Sequence, residues 1–326
     1  MSWDRKRLGR LASDLRLFWI LILLMAVLSV VSKRFLTLEN LTNVLWSVCL
    51  IGIMSSGAIY APITGGIDLS VASIAALSGI IANALMNGLG LNWILSLALT
   101  LVAGVLIGLV NGIVTTRFKV PAFIVTMAAK TYLFGLAMYI SSGSQITIMK
   151  PRPFLAIGVG RFLGVPIPIY IMLALTLASH VLLRYTAFGR RAIAVGANEV
   201  AAKLSGVNPD RVRNQVYVIS AVTATVAGIV MASLTQQAFA MNAGGYELDV
   251  ITAIVVGGTS LMGGKGSVAG ALVGAVMVGF INNGLNLLNM PSSYHPLATG
   301  IVILVALIIN EGAGLPTVLR RVVGVR

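Results

Sequence analysis

Trp93-Ile-Leu-Ser-Leu-Ala-Leu-Thr-Leu-Val-Ala-Gly-Val-Leu-Ile-Gly-Leu-Val-Asn-Gly-Ile-Val114 runs for 22 residues without a charged side chain. As an α-helix it is about 33 Å long at ~1.5 Å per residue, enough to cross the ~30 Å hydrocarbon core of a bilayer. Working outward, hydropathy and helix breakers place similar blocks at 17–32, 43–63, 69–87, 121–141, 168–184, 214–235, 247–262, 267–288 and 295–311. With 93–114 that makes about ten crossings. The eighth is interrupted by Gly257-Gly258 and Gly263-Gly264. It reads as a broken or partly re-entrant helix, which a membrane tolerates only where protein or a water-filled cavity satisfies the backbone.

Composition agrees. Of 326 residues, 58% are hydrophobic and 10% charged, with a mean hydropathy of +0.97. Soluble proteins average roughly 25% charged residues, so two soluble domains are excluded. The expected fold is an all-α polytopic membrane protein: a membrane domain over 17–311, an N-terminal segment 1–16 and a tail 312–326. The net charge of +14 would suggest nucleic acid in a soluble chain. Here the bases gather in particular joints: the N-terminus (Arg5, Lys6, Arg7, Arg10), Arg117 with Lys119, the stretch 184–213, Lys265, and Arg320, Arg321 and Arg326. Ten crossings put all of these on one side, cytoplasmic by the positive-inside bias, with both termini inside. The other side holds Lys33, Arg34, Lys150, Arg152 and Arg161. The run Leu17 to Val31 ends in Ser32-Lys33-Arg34 without a small-x-small site, so it reads as an uncleaved first helix. Cys49 is the only cysteine and His180 and His295 are isolated. No disulfide, metal site or catalytic cluster is expected.

Val102-Ala-Gly-Val-Leu-Ile-Gly108 and Val268-Ala-Gly-Ala-Leu-Val-Gly274 resemble one another five crossings apart, so the copies would run in opposite directions. They mark either a 5+5 inverted repeat, with a substrate path between halves, or convergent small-residue packing.

In the longest interior joint, 185–213, Asn198 can cap a short helix with Glu199 in its first turn, and Gly206 can end it in a left-handed conformation. Val200, Ala201 and Leu204 then share one face. So short a helix must rest on something, its own bundle or a partner's groove. Asp68, after two glycines, reads as a helix cap or a substrate contact. Lys130 within the fifth block is either snorkelling or part of a path or ion pair. Glu247 and Asp249, on the inferred outer side, are solvated acids, contacts for a binding protein or parts of a gate. Asn282 and Asn286 share a face at i, i+4, with Asn283 beside them. Their amides suit either polyhydroxylated solute or interhelical bonding, as do Asn111, Gln236 and Gln237. Gly263-Gly-Lys-Gly-Ser267 lacks the spacing of a phosphate-binding loop, so energy must come from elsewhere.

Phe188-Gly-Arg-Arg-Ala-Ile-Ala-Val-Gly-Ala-Asn-Glu-Val-Ala-Ala-Lys-Leu-Ser-Gly-Val-Asn-Pro-Asp-Arg-Val212 resembles the coupling loop of ribose-type (carbohydrate uptake class 2) ABC-importer permeases. Gly65-Gly-Ile-Asp-Leu-Ser-Val71, Gly158–Pro168, Gly245-Tyr-Glu-Leu-Asp249, Val256–Ser267 and Asn282–Leu288 are similar in the same order. The resemblance implies a permease for a monosaccharide such as ribose or a related polyol, in the bacterial inner membrane. It implies a cytoplasmic ATPase binding ATP and Mg, a second permease chain, a periplasmic sugar-binding protein and no cofactor in this chain. ATPase coupling falls to Gly189, Arg190, Gly196, Asn198, Glu199, Ala201, Ala202 and Gly206. The chain departs from the family at Ala72, where Gly is usual. It also has Phe134 before Gly135 where Arg is frequent, with Lys130 one turn earlier. An ion-coupled secondary transporter and a branched-chain amino acid permease are the competing expectations.

Overall fold

The computed structural model describes residues 19, 21–23, 25–30, 32–148, 151–291 and 293–311; the N-terminal bases, Lys150 and the tail 312–326 lie outside the described residues. In chain order the helices are α1 (Leu21–Val30), α2 (Leu38–Ala58), α3 (Tyr60–Ile63), α4 (Val71–Asn83), α5 (Trp93–Arg117), α6 (Ala122–Ile140), α7 (Arg152–Val159), α8 (Ile167–Tyr185), α9 (Ala187–Ala197), α10 (Glu199–Leu204), α11 (Pro209–Thr235), α12 (Tyr246–Val256), α13 (Val268–Leu287) and α14 (Tyr294–Glu311). A π-helical turn, Ala84–Gly88, extends α4. Four two-residue strands, β1 (Ile146–Thr147), β2 (Arg161–Phe162), β3 (Val165–Pro166) and β4 (Gln237–Ala238), form two antiparallel clips, β1–β4 and β2–β3.

Side-chain oxygens start many of these helices. Thr37, Asn92, Thr186, Asn198, Asn208 and Ser267 each accept a bond from a first-turn N–H, satisfying donors that the helix itself leaves free. Two starts move relative to the sequence reading: Thr37 begins α2 five residues early, and Asn208-Pro209 does the same for α11. Proline at the first helical position loses nothing there.

Seven helices among the described residues are long and apolar enough to cross a membrane, while the first and tenth blocks appear as the shorter apolar stretches Leu21–Val30 and Tyr294–Ala306. The eighth block is not a crossing of its own. Its helix, α12, has 11 residues, about 16 Å, and the chain then turns through Gly257 and Gly258 into a non-helical stretch up to Ser267. The long joint 142–167 carries a helix, α7, that hydropathy did not anticipate. It is seated on the end of α11 through Gly158, whose N–H donates to Ser233 Oγ at 2.7 Å.

The packing follows a two-fold plan with an offset of five membrane segments. α11 packs on α5 as α2 packs on α13, and α11 on α4 as α2 on α12. α4 lies against α5 and α6 as α12 lies against α13 and α14. Non-helical backbone precedes both inner helices, 64–70 before α4 and 239–245 before α12. The two glycine-rich heptads are nevertheless not equivalent. Gly104 and Gly108 face Thr225 and Ala221 on α11, whereas Gly270 and Gly274 face Gly257 and Ala253 at α12. The counterpart of the α5 face is Gly279 of α13, set against Val48 of α2. Close approach at the centre depends on Gly228, where a Cβ would strike the Ala75 carbonyl.

Candidate functional site

Three places bring the candidate residues together. At the bundle end bearing Arg117, Lys119, Arg190, Arg191 and Lys203, the joint 185–213 folds as two short helices. The first, α9, is fixed by close backbone passes. A Cβ on Gly189 would meet the Leu183 carbonyl, and one on Gly196 the Ile63 carbonyl. Ile63 O also accepts from Gly264 N at 2.9 Å, so α9, the end of α3 and the 257–267 stretch meet at one junction.

The second helix, α10, has the caps its sequence predicts. Asn198 Oδ1 accepts from Ala201 N at 3.0 Å. Gly206 has φ +81°, and Val207 N returns to Ala202 O at 3.0 Å, closing the C-terminus. Glu199 pairs with Arg213 at 2.6 Å, and this bond holds its carboxyl below the usual range. Ala202 is buried, while Val200 and Leu204 are 69% and 85% exposed. α10 therefore rests on its bundle through one side and leaves its apolar side uncovered. Arg190, Asn198 and Ala201 are exposed.

The second place is Asp68, buried in the 64–70 turn. Oδ1 accepts from Ser70 N at 2.9 Å and Ser70 Oγ at 2.6 Å, and Oδ2 from Ser220 Oγ of α11 at 2.7 Å. Asn111 of α5 donates to Ser70 Oγ at 3.1 Å. Both carboxylate oxygens are used, so Asp68 ties the turn before α4 to α11, and Asn111 belongs to the same knot.

The third place surrounds the start of α12. Glu247 is buried, not solvated as its position after the seventh block would allow. Its Oε1 lies 2.5 Å from Lys130 Nζ on α6, and its Oε2 has no hydrogen-bond partner among the described residues. Asp249, two residues further, accepts from Thr299 Oγ1 at 3.0 Å and from Asn282 Nδ2 at 3.4 Å. Asn282 precedes the end of α13 by five residues, so Asp249 lies about 8 Å in from that end. Glu247 is therefore buried and Asp249 half-buried, in place of two solvated acids. Asn283 forms a reciprocal amide pair with Asn40 of α2, at 2.9 and 2.7 Å, and is interhelical glue. Asn286 is exposed one turn beyond Asn282. Gln236 is the left-handed cap of α11 and Gln237 lies in β4.

Ser220, Ser73, Thr299 and Arg213 were missed by sequence reasoning, being common residue types 14 or more residues from their partners, and Ser70 was passed over although it lies only two residues from Asp68. One signal was present. Gly65-Gly-Ile-Asp-Leu-Ser-Val71 and Gly244-Gly-Tyr-Glu-Leu-Asp-Val250 align with glycines, acid, leucine and valine in register, and they occupy equivalent places in the two halves.

A family model described as "branched-chain amino acid transport system / permease component" matches residues 40–307. The ribose import permease protein RbsC of Haemophilus influenzae is 38% identical over 311 residues, 94% of this chain and 96% of its own. RbsC of Escherichia coli K12 is 39% identical over 294 residues, 89% and 91% of the two chains. The L-arabinose ABC transporter permease protein AraH of Azospirillum brasilense is 36% identical over 292 residues, 90% and 86% of the two. No solved structure matches.

Proposed function

Since the chain belongs to the permease-component family of branched-chain amino acid transport systems, we propose that it is the membrane subunit of an ATP-driven importer for a monosaccharide, a ribose-like sugar or related polyol. The names of its relatives, ribose and arabinose permeases, support the solute class. It sits in the bacterial inner membrane with both termini and α10 in the cytoplasm. Its partners are a cytoplasmic ATPase that binds ATP and Mg, a second permease chain and a periplasmic sugar-binding protein.

The observation that carries this reading is the uncovered apolar side of α10. A helix of six residues does not persist in water on its own. Here Ala202 anchors it, while Val200 and Leu204 face outward as knobs for a groove in the ATPase. Gly189 and Gly196 hold α9 against the bundle, so a push on α10 reaches the junction of Ile63 and Gly264, and through it α12. Binding and hydrolysis of ATP in the partner then shift the bundle between outward and inward access. Lys130, Asn282 and Asn286 are candidates for the solute path; Asp68 acts as a structural tie behind it.

The test is purification of the chain with its ATPase and a screen of monosaccharides, delivered by the binding protein, for stimulated ATP hydrolysis. Stimulation by a pentose or polyol is expected. Stimulation by leucine alone would transfer the chain to amino acid import. Uptake by this chain alone under an ion gradient would make it a secondary transporter. Ala202 is a poor probe of coupling because it is buried; Leu204→Asp is the informative variant. It should abolish stimulated hydrolysis while leaving the thermal stability of the bundle unchanged.

A further inference from the structure

Among the described residues of the long apolar helices, the other bases lie near helix ends: Arg117, Arg184, Arg211 and Arg213. Lys130 does not. It is the ninth residue of α6, about 12 Å from the first residue and about 15 Å from the last. Its ammonium is held sideways by Glu247 rather than reaching toward an interface, so snorkelling does not describe it.

The pair is lopsided. The Glu247 side chain is 6% exposed and that of Lys130 42%. One ammonium N–H is spent on Glu247, and among the described residues no second acceptor is bonded to it. Against hydrocarbon the remaining donors would go unsatisfied, which the bilayer core penalises heavily. The buried side of α6 is a separate stripe, Ala129, Leu133 and Ala137. The edge beyond Lys130 carries exposed Thr131, and a Cβ on Gly135 would meet open space.

We infer that the α6 edge bearing Lys130 and Thr131 borders a water-filled route rather than lipid, and that Lys130 with Glu247 forms one electroneutral contact there for the hydroxyls of an uncharged polyol. The ammonium donates to solute oxygen; the carboxylate behind it fixes the ammonium and cancels its charge, so a charged solute finds nothing to balance it. This deepens the permease reading and rests on it.

The experiment uses the full chain in membranes with its partners, in a Cys49→Ser background; Cys49 is the chain's only cysteine and is buried. Thr131→Cys is compared with Leu106→Cys on the apolar exposed face of α5, using membrane-impermeant cationic and anionic methanethiosulfonates. The cysteine at 131 should react at least ~10-fold faster than the one at 106. Equal rates would overturn the wet edge. Adding Glu247→Gln leaves a net positive charge and should raise the anionic-to-cationic rate ratio at 131 several-fold. Lys130→Met combined with Glu247→Gln should return it to the starting value, and an unchanged ratio in the single variant would overturn the electroneutral contact. The Thr131→Cys comparison needs neither charge variant, so it stands if Glu247→Gln does not fold. None of these rates depends on which solute is carried. Failure here is therefore separable from failure of the sugar assignment, which the ATPase screen decides.

Discussion

Asp68 and Glu247 occupy equivalent places in the two halves of one bundle, four residues into matching glycine-led turns, and they have opposite surroundings. Asp68 is met by three neutral donors, two from Ser70 in its own turn and one from Ser220 on α11, with both oxygens used. Glu247 meets one cation from the other half and keeps a buried oxygen without a partner among the described residues. The same local pattern thus yields a tie in one half and a charged contact in the other. What differs is the set of neighbours: Ser70 of the same turn, where the other half has Asp249, together with Ser220 of α11 in one case, and Lys130 from α6 in the other. A duplicated frame fixes where an acid sits, and the donors that meet it, from its own turn and from across the bundle, decide what it does.

The sharpest way to break this comparison is Lys130→Met. It leaves Glu247 buried and uncompensated, a loss of about 3–5 kcal/mol, visible as a large drop in thermal stability of the detergent-solubilised protein. Glu247→Met should cost far less, about 1 kcal/mol, because the half-exposed ammonium can rehydrate. The double variant should recover most of what Lys130→Met loses. Equal losses for the two single variants would mean the pair is buried symmetrically.

Asp68→Ala comes next, at about 3 kcal/mol, since it orphans the Ser70 N–H and the Ser70 and Ser220 hydroxyls together. Asp68→Asn keeps an acceptor for some of them and should lose about half as much. If Asp68→Asn and Asp68→Ala were equally damaging, the negative charge itself would be in use and the knot would resemble the Glu247 site after all.

Much of the frame was legible because the bilayer imposes it. Runs such as 93–114 must be long and apolar, and the capping residues Asn198 and Gly206 work locally, so α10 was readable residue by residue. The failures share a cause. That Glu247 is buried rather than solvated depends on α6 bringing Lys130 to it, which is not written in hydropathy, whereas the stop of α12 at Val256 was legible in Gly257-Gly258. α9 was missed because its glycines look like loop until the Leu183 and Ile63 carbonyls are in place. Lys130 and Glu247 were each recognisable as costly charges, but 117 residues separate them in sequence. Only the packing of the two halves makes them a pair.

The smallest expected effect lies outside the membrane and tests whether exposure, rather than ion pairing as such, separates the two kinds of carboxylate. Glu199 is bonded to Arg213, and that bond depresses its folded-state pKa below the ordinary value of 4.5. A depressed carboxylate stabilises the fold fully above its unfolded value, and the contribution disappears as pH falls through the folded one. Between pH 7 and 5 nothing should change; below about 4.5 the α10–α11 contact should loosen. With the carboxylate 47% exposed, solvent screens the pair, so the effect should stay well under 1 kcal/mol and shrink with added salt. Hydrogen exchange of the α10 amides in the wild type and in Glu199→Gln measures it directly. The two should converge at low pH, and a difference persisting at pH 3 would show that the glutamate acts through its shape and capping position rather than its charge.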